Sequence, residues 1–346
     1  MDTVSPMKRS RTFVALAVVL VAACSGNAAP PATAAVATAT ASPRPTPVTL
    51  KVALPTTSAD FLWTYIAKDA GIFADNGIDA DIQYIASTQS VTALVANQVG
   101  VSLGAGSDVL SAAASGADLV VVAVPSPTYP FIFEAAPGIS APKDLVGKKV
   151  GVSSTGSSSD IATRVALRKL GLDPDKDVSI VNVGSAEQRT AAALAGAIQG
   201  AVSLVPDNLV LEEKGWKPLF SLVDLKLPAV QNVVAFSRSF FVSQRDLAQR
   251  FVDSMVLAIA REQKDRAFGI EMVKKWSKID DQRKAEAAYD FYAKIHPLLP
   301  YPKVEMFADS KTLLGATNDK VKTFDVAKIL DESLVKSAAD RGLDKR

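Results

Sequence analysis

The residues best suited to holding a small polar group are hydroxyl residues and glycines placed just ahead of helix-forming segments. The fullest example is the run Ser153, Ser154, Thr155, Gly156, Ser157 and Ser158, inside the stretch Lys148–Leu170. A short apolar strand leads into it and an amphipathic pattern follows. Such a loop presents hydroxyls and unpaired backbone N–H groups at the positive end of a helix, where a polar or anionic group is stabilised. Gly151 and Gly156 have the spacing of a nucleotide-phosphate cradle. Ser157 stands where that motif needs its lysine, which argues against nucleoside triphosphate chemistry.

Other loops repeat this construction. Thr57 and Ser58, then Ser87, Thr88 and Gln89, then Ser107, then Ser185 and Glu187, and finally Asp207 each fall between an apolar strand and a helical pattern. Any one of them serves a helix as a cap. Converging from several loops, they predict a site with fixed polar groups among apolar walls. Phe61, Trp63 and Tyr129 follow strand ends and are candidates to stack on a ring. Asp60, Asp108, Asp160, Glu187 and Asp207 lie in first turns, where they suit the helix dipole and make the mouth of the site acidic. Arg164 and Arg189 are the cations nearest in sequence, both beyond the first helical position; Arg164 is expected on a solvated face.

The elements that position these loops alternate. Val48–Leu54, Ile78–Ile85, Val101–Leu103 and Leu119–Val124 read as strands with helices between them, and Leu119–Val124 is apolar throughout, as in a sheet covered on both faces. A second series begins with Lys149–Ser153 and continues through Val178–Val183 and Ala201–Val205. The segment A-L-V-A-N-Q-V-G-V-S-L, from Ala93 to Leu103, is echoed by A-L-A-G-A-I-Q-G-A-V-S-L, from Ala193 to Leu204, at the same place in the second series. The remainder from Phe240 is mostly helical, broken at Pro297, Pro300 and Pro302. The predicted fold class is α/β, with two lobes of mainly parallel sheet and a hinged cleft between them. Lobe 1 is expected over 48–135 plus 236–346, and lobe 2 over 136–235.

The chain has 346 residues, 48% of them apolar and 21% charged. Without the first 23 residues, which hold Lys8, Arg9, Arg11 and Asp2, the Lys+Arg and Asp+Glu counts are equal at 35 each, so charge gives no case for a nucleic-acid partner. One histidine, His296, leaves little room for His-based metal or triad chemistry, and it is expected as a surface or packing residue. No metal and no cofactor are predicted. The single cysteine, Cys24, allows no internal disulfide.

The N-terminus reads as an address. Lys8, Arg9 and Arg11 precede the apolar run Phe13–Ala23, too short to span a bilayer stably, and small residues lead to Cys24. Translation from Met7 would set the basic residues directly after the initiator. The cysteine resembles that of a bacterial lipobox, which implies lipid attachment at Cys24 and anchoring to the membrane outside the cytoplasm. Residues 1–23 are then a signal peptide, and residues 24–47, rich in Ala, Thr and Pro, a tether.

Four segments resemble one family: Tyr65 to Ala80, Ser115 to Ala123, Gly138 to Val152 (G-I-S-A-P-K-D-L-V-G-K-K-V-G-V) and Leu170 to Gly184 (L-G-L-D-P-D-K-D-V-S-I-V-N-V-G). Together they are similar to the substrate-binding proteins of ABC importers for sulfonates, nitrate and thiamine pyrimidine precursors. The resemblance covers about Leu50 to Lys264. It implies a periplasmic-binding-protein fold of type II, a small-molecule ligand closed between the lobes, and delivery to a permease with its ATPase by a monomeric, non-enzymatic protein. Where the family has an acidic residue before the third strand of each lobe, this chain has Gly100 and Gly200. The acidic mouth and the aromatics favour a neutral or aromatic heterocycle, such as a thiamine pyrimidine precursor or a riboflavin-like compound. The alternatives are a sulfonate, taurine or nitrate-type anion, or, in other classes, an extracellular sensor lobe or an enzyme like thiamine-pyrimidine synthase. That enzyme relies on a histidine, a cysteine run and a pyridoxal phosphate lysine, and this chain has one cysteine and one histidine.

Overall fold

A computed structural model describes residues 46–346; Cys24, the segment before it and nearly all of the tether lie outside the described residues. Ten strands form two sheets of five. The chain runs through β1 (Val48–Leu54), β2 (Ile78–Tyr84), β3 (Val101–Ser102) and β4 (Leu119–Ser126). It continues through β5 (Ile132–Ala135), β6 (Lys149–Val152), β7 (Ser179–Asn182), β8 (Gly200–Ser203) and β9 (Lys217–Ser221), and returns in β10 (Asn232–Ser237). The first sheet has the order β2-β1-β3-β10-β4 and the second β7-β6-β8-β5-β9.

The two orders are the same pattern. In each sheet β1 and β6 pair in parallel with both neighbours, while one strand, β10 or β5, runs antiparallel to the strands beside it. The reversed strand of each sheet is the one that has just arrived from the other lobe. The sheets are therefore mixed, each by a single strand. The lobes exchange chain through residues 127–131 and 222–231, so β5 belongs to the second lobe and all of β10 to the first, a few residues from the expected boundaries.

The apolar patterns explain the layers. β4 is buried along its whole length. Val120 and Val122 enter one core, and Leu119 and Val121 the other, as a period of two requires. The pairing with β10 then shifts register opposite Val234 and Ala235, and beyond the shift Ala123 joins the first core and Val124 the second. The long helix Arg245–Lys264 supplies a stripe from Leu247 through Phe251, Met255 and Ile259 to the first of these cores. Gly100 and Gly200 also follow from packing. A Cβ at Gly100 would stand 2.4 Å from the Leu50 side chain, and one at Gly200 would press on Val150, Phe133 and Leu145 at 3.2–3.3 Å. These strand entries have no room for a carboxylate.

Two strands escaped the sequence reading. β9 contains Pro218 and is tolerated because it is an edge strand. β5 is only four residues long and carries Glu134 into the interior. Glu134 is fully buried, and neither of its carboxyl oxygens has a hydrogen-bond partner. Burial, with Glu212 adding to it, raises its pKa from 4.5 to about 8. The folded protein then keeps a proton that the unfolded chain releases, so stability falls as pH rises from 4.5 to about 8 and levels off above. Glu134→Gln is expected to leave thermal stability unchanged at pH 5 and to raise it at pH 9, by on the order of 2–4 kcal/mol. Parallel melting curves at the two pH values check this; an equal effect at both would show that no proton is held.

Candidate functional site

Every parallel strand near the lobe interface ends in one of the loops singled out from sequence, and those loops face each other across a cleft of about 550 Å³. Lobe 1 contributes Thr56, Ser58, Asp60 and Phe61 after β1, Ser87, Thr88 and Gln89 after β2, and Ala105 and Asp108 after β3. Lobe 2 contributes Ser153, Ser154 and Ser157–Ser159 after β6, Gly184–Arg189 after β7, and Leu204 after β8. Phe131, Gln231 and Asn232, where the chain crosses between lobes, complete the lining. Helices begin at Ser87, Gly106, Ser158 and Ala186, so four positive helix ends meet here.

The predicted residues divide. Ser58, Phe61, Ser87, Thr88, Gln89, Ser153, Ser157, Ser158, Ser185 and Glu187 line the cleft. Trp63 does not. It is 1% exposed and meets Phe251 edge-on at 6.0 Å, a core contact. Tyr129 packs among Phe131 and Phe133 and donates to Asp309 at 2.8 Å. Thr57 turns away, its carbonyl accepting from the Ser277 hydroxyl at 2.6 Å. Ser107 is buried behind the wall, its hydroxyl unpartnered. Thr155 points outward to Asn182 Oδ1 at 3.4 Å. Gly156, at φ +81°, makes the turn that lets the loop pass Leu314. Asp207 sits outside the lining, beside Arg189 and Glu187; burial raises its pKa to about 6, with Glu187 adding and Arg189 opposing.

The polar groups are held by hydrogen bonds within the protein. The Ser87 hydroxyl donates to Asp108 at 2.5 Å and accepts from the Ala105 N–H at 2.7 Å. Burial raises the Asp108 pKa against the pull of the Ser87 and Thr88 hydroxyls. Ser157 Oγ caps its helix through the Asp160 N–H and also meets Ser159 Oγ at 3.0 Å. Asp160 faces inward to hold the Gly156 N–H at 2.8 Å and so does not add to the mouth. Thr56 Oγ1 in lobe 1 donates to Glu187 Oε1 in lobe 2 at 3.2 Å, a bond across the cleft. Burial works to raise the Glu187 pKa, but the Ser185 hydroxyl, its own N–H, Thr56 and Arg189 outweigh it and lower the value.

Arg189 is the residue whose role the sequence reading missed. It is 3% exposed and lines the cleft, with Nε donating to the Val202 carbonyl and Nη1 to Ser153 Oγ, both at 2.8 Å. Burial lowers its pKa to about 10, with Asp207 and Glu187 opposing, so it stays charged at neutral pH. It is the one Lys, Arg or His side chain among the cleft-lining residues. Its position one turn into the helix Ala186–Leu194 conceals this. Helical side chains lean toward the N-terminus, and a long one reaches back to the helix mouth. Arg164 is not on a solvated face. It is partly buried, ion-paired with Asp160 at 2.8 Å and Asp175 at 2.5 Å outside the cleft.

His296 is buried. Its Nδ1 meets Glu262 Oε1 at 2.9 Å and its Nε2 meets the Asp60 carbonyl at 3.2 Å. Among the described residues, no group of three or more His, Cys, Asp or Glu is arranged to hold a metal, and no helix is long and apolar enough to cross a membrane.

Two mixed five-stranded lobes, joined by paired crossings and lined at the strand ends, define the periplasmic-binding-protein fold. The chain belongs to the NMT1/THI5-like family, whose model matches residues 58–261. Solved structures agree on the fold. The periplasmic aliphatic sulphonate binding protein SsuA from Escherichia coli is 21% identical, with TM-score 0.66 over 84% of this chain and 100% of that one. The alkanesulfonate-binding protein SsuA from Xanthomonas axonopodis pv. citri, bound to MOPS, is 19% identical, with TM-score 0.65 over 85% and 98%. The desulfurization enzyme DSZB is 16% identical, with TM-score 0.65 over 85% and 99%. A search of curated proteins finds no match.

Proposed function

We propose that this protein is the extracytoplasmic solute-binding component of an ABC importer and that its ligand is a small organic sulfonate or related oxyanion. The observation that carries the reading is the buried guanidinium of Arg189 set in the cleft among four helix N-termini. A planar, charged fork beside the positive ends of helices suits a tetrahedral or trigonal oxyanion. Phe61 and Phe131 offer apolar surface for the organic remainder. The sulfonate-binding structures of the same fold support the same ligand class. Ligand bridges the lobes, favours the closed state by its differential affinity, and the closed form docks on a permease.

In this reading Cys24 carries the lipid anchor, residues 24–47 hold the lobes off the membrane, and the protein works as a monomer. A neutral heterocycle remains the second reading, on the strength of the carboxylates Asp108 and Glu187 in the lining. Enzymatic use of the fold is disfavoured by the composition: the chain has one cysteine and one histidine, and that histidine is engaged by Glu262 and Asp60.

A thermal-shift panel of alkanesulfonates, taurine, nitrate, pyrimidines and riboflavin tests the assignment. A sulfonate at a hundred times its Kd is expected to raise the melting temperature by about 5 °C. Stabilisation by a pyrimidine or flavin and by no sulfonate would replace it with the second reading.

A further inference from the structure

The chain crosses between the lobes in two segments, residues 127–131 and 222–231. They are bonded to each other. The Ala229 N–H donates to the Pro127 carbonyl at 3.0 Å, the Gln231 N–H to the Ser126 carbonyl at 3.3 Å, and the Leu222 N–H to the Phe131 carbonyl at 2.9 Å. Where they enter lobe 1, the first segment follows Ser126, the last residue of β4, and the second leads into Asn232, the first residue of β10. Both side chains end on one carboxylate. Asp60 Oδ1 accepts from the Ser126 hydroxyl, and Asp60 Oδ2 from the Asn232 amide.

Asp60 is 2% exposed and lines the cleft. Its backbone is fixed from behind, because the His296 ring meets its carbonyl at 3.2 Å and the Ser58 hydroxyl accepts from its N–H at 3.3 Å. A carboxylate is acceptor-only on both oxygens, so it can receive a hydroxyl and an amide at once; an asparagine could serve Asn232 only by turning its NH2 toward Ser126, which reverses that bond and removes the charge that strengthens both. Gly106, at the start of its helix, lets Val230 of the second segment approach to where a Cβ would stand 2.1 Å away. The second crossing is thus held against lobe 1 on both sides.

We propose that Asp60 is the positioning residue of the hinge: its carboxylate locks the lobe-1 ends of both crossings together from the cleft side and so sets the resting angle from which the lobes close. The inference rests on the binding-protein reading only in supposing that the lobes move; the lock itself is made of the protein's own groups.

The test is therefore made on the ligand-free protein, by hydrogen exchange followed in peptides covering 126–132 and 222–232. Asp60→Asn is expected to speed exchange in both crossings by about fivefold or more, with the interior strands β1 and β6 as slow as in wild type. The swapped pair, Asp60→Asn with Asn232→Asp, restores one donor and one acceptor and should return the crossings to within about twofold of wild type. Ser126→Ala, which keeps the carboxylate, should loosen the first crossing alone and serves if Asp60→Asn does not fold. Wild-type exchange in the crossings of whichever single variant folds overturns the proposal. So does loosening spread evenly over lobe 1, or a swapped pair no better than Asp60→Asn. A failed sulfonate panel leaves this result untouched, so the two readings fall separately.

Discussion

Arg189→Gln is expected to weaken sulfonate binding at least about 100-fold, because losing one partner of a buried, charge-assisted contact costs several kcal/mol. Glutamine keeps much of the volume and can still donate toward Val202 or Ser153, so the lining loses its charge more than its shape. Arg189→Lys is expected to recover only part of the loss. An ammonium supplies the charge without the planar fork that engages Val202 and Ser153 while facing a ligand. Titration calorimetry with an alkanesulfonate, alongside circular dichroism to show that the variants fold, makes the measurement. The same experiment separates the two ligand classes. A neutral heterocycle held by Phe61, Phe131 and hydroxyls would bind both variants within a few-fold of wild type, since its transfer from water gains nothing from a cation. A sulfonate that binds Arg189→Gln as tightly as wild type would remove the observation on which the proposed function stands.

The contrast between Arg189 and the serines shows what local sequence carries. Ser87, Ser153, Ser157 and Ser185 were legible because a hydroxyl between a strand and a helix has few places to go: it caps, it lines, or, as Ser157 does, it takes part in both. The apolar run of β4 and the echo of Ala93–Leu103 in Ala193–Leu204 were legible for the same reason, since composition and order are properties of the chain itself. Arg189 was hidden by direction, its guanidinium lying a turn away from its Cα. Trp63 and Tyr129 were hidden by burial, because an aromatic after a strand end has the same local signature in a core and in a cleft. Phe131, Gln231 and Asn232 were beyond reach altogether. They line the cleft only because two segments about a hundred residues apart in sequence lie side by side at the crossing, which nothing within either segment encodes. The neutral-ligand expectation came from counting the acidic first turns without knowing that Asp160 and Asp207 lie outside the lining and that Arg189 lies within it.

The largest effect on stability is expected at His296, which stands directly behind the cleft-lining Asp60. The ring is fully enclosed between Glu262, at 2.9 Å from Nδ1, and Asp60, whose carbonyl and nearer carboxylate oxygen lie 3.2 and 3.7 Å from Nε2. Burial alone would lower its pKa, but Glu262 first and Asp60 with it raise the value to about 10, so the ring is an imidazolium at neutral pH. His296→Gln leaves the Glu262 carboxylate buried without its cation and is expected to cost about 3–5 kcal/mol at pH 7 by urea denaturation. The double variant His296→Gln, Glu262→Gln leaves no unpaired charge at that end of the network and should cost less than the single one. The pH dependence has a fixed sign. A histidine whose folded pKa is raised contributes fully below 6.5 and loses its contribution as pH climbs toward about 10, so wild-type stability should decline across that window. In the double variant that decline should shrink, because the group that releases the proton is gone. If the single and double variants were equally stable and the wild-type profile flat from pH 6.5 to 10, His296 would be a neutral packing residue.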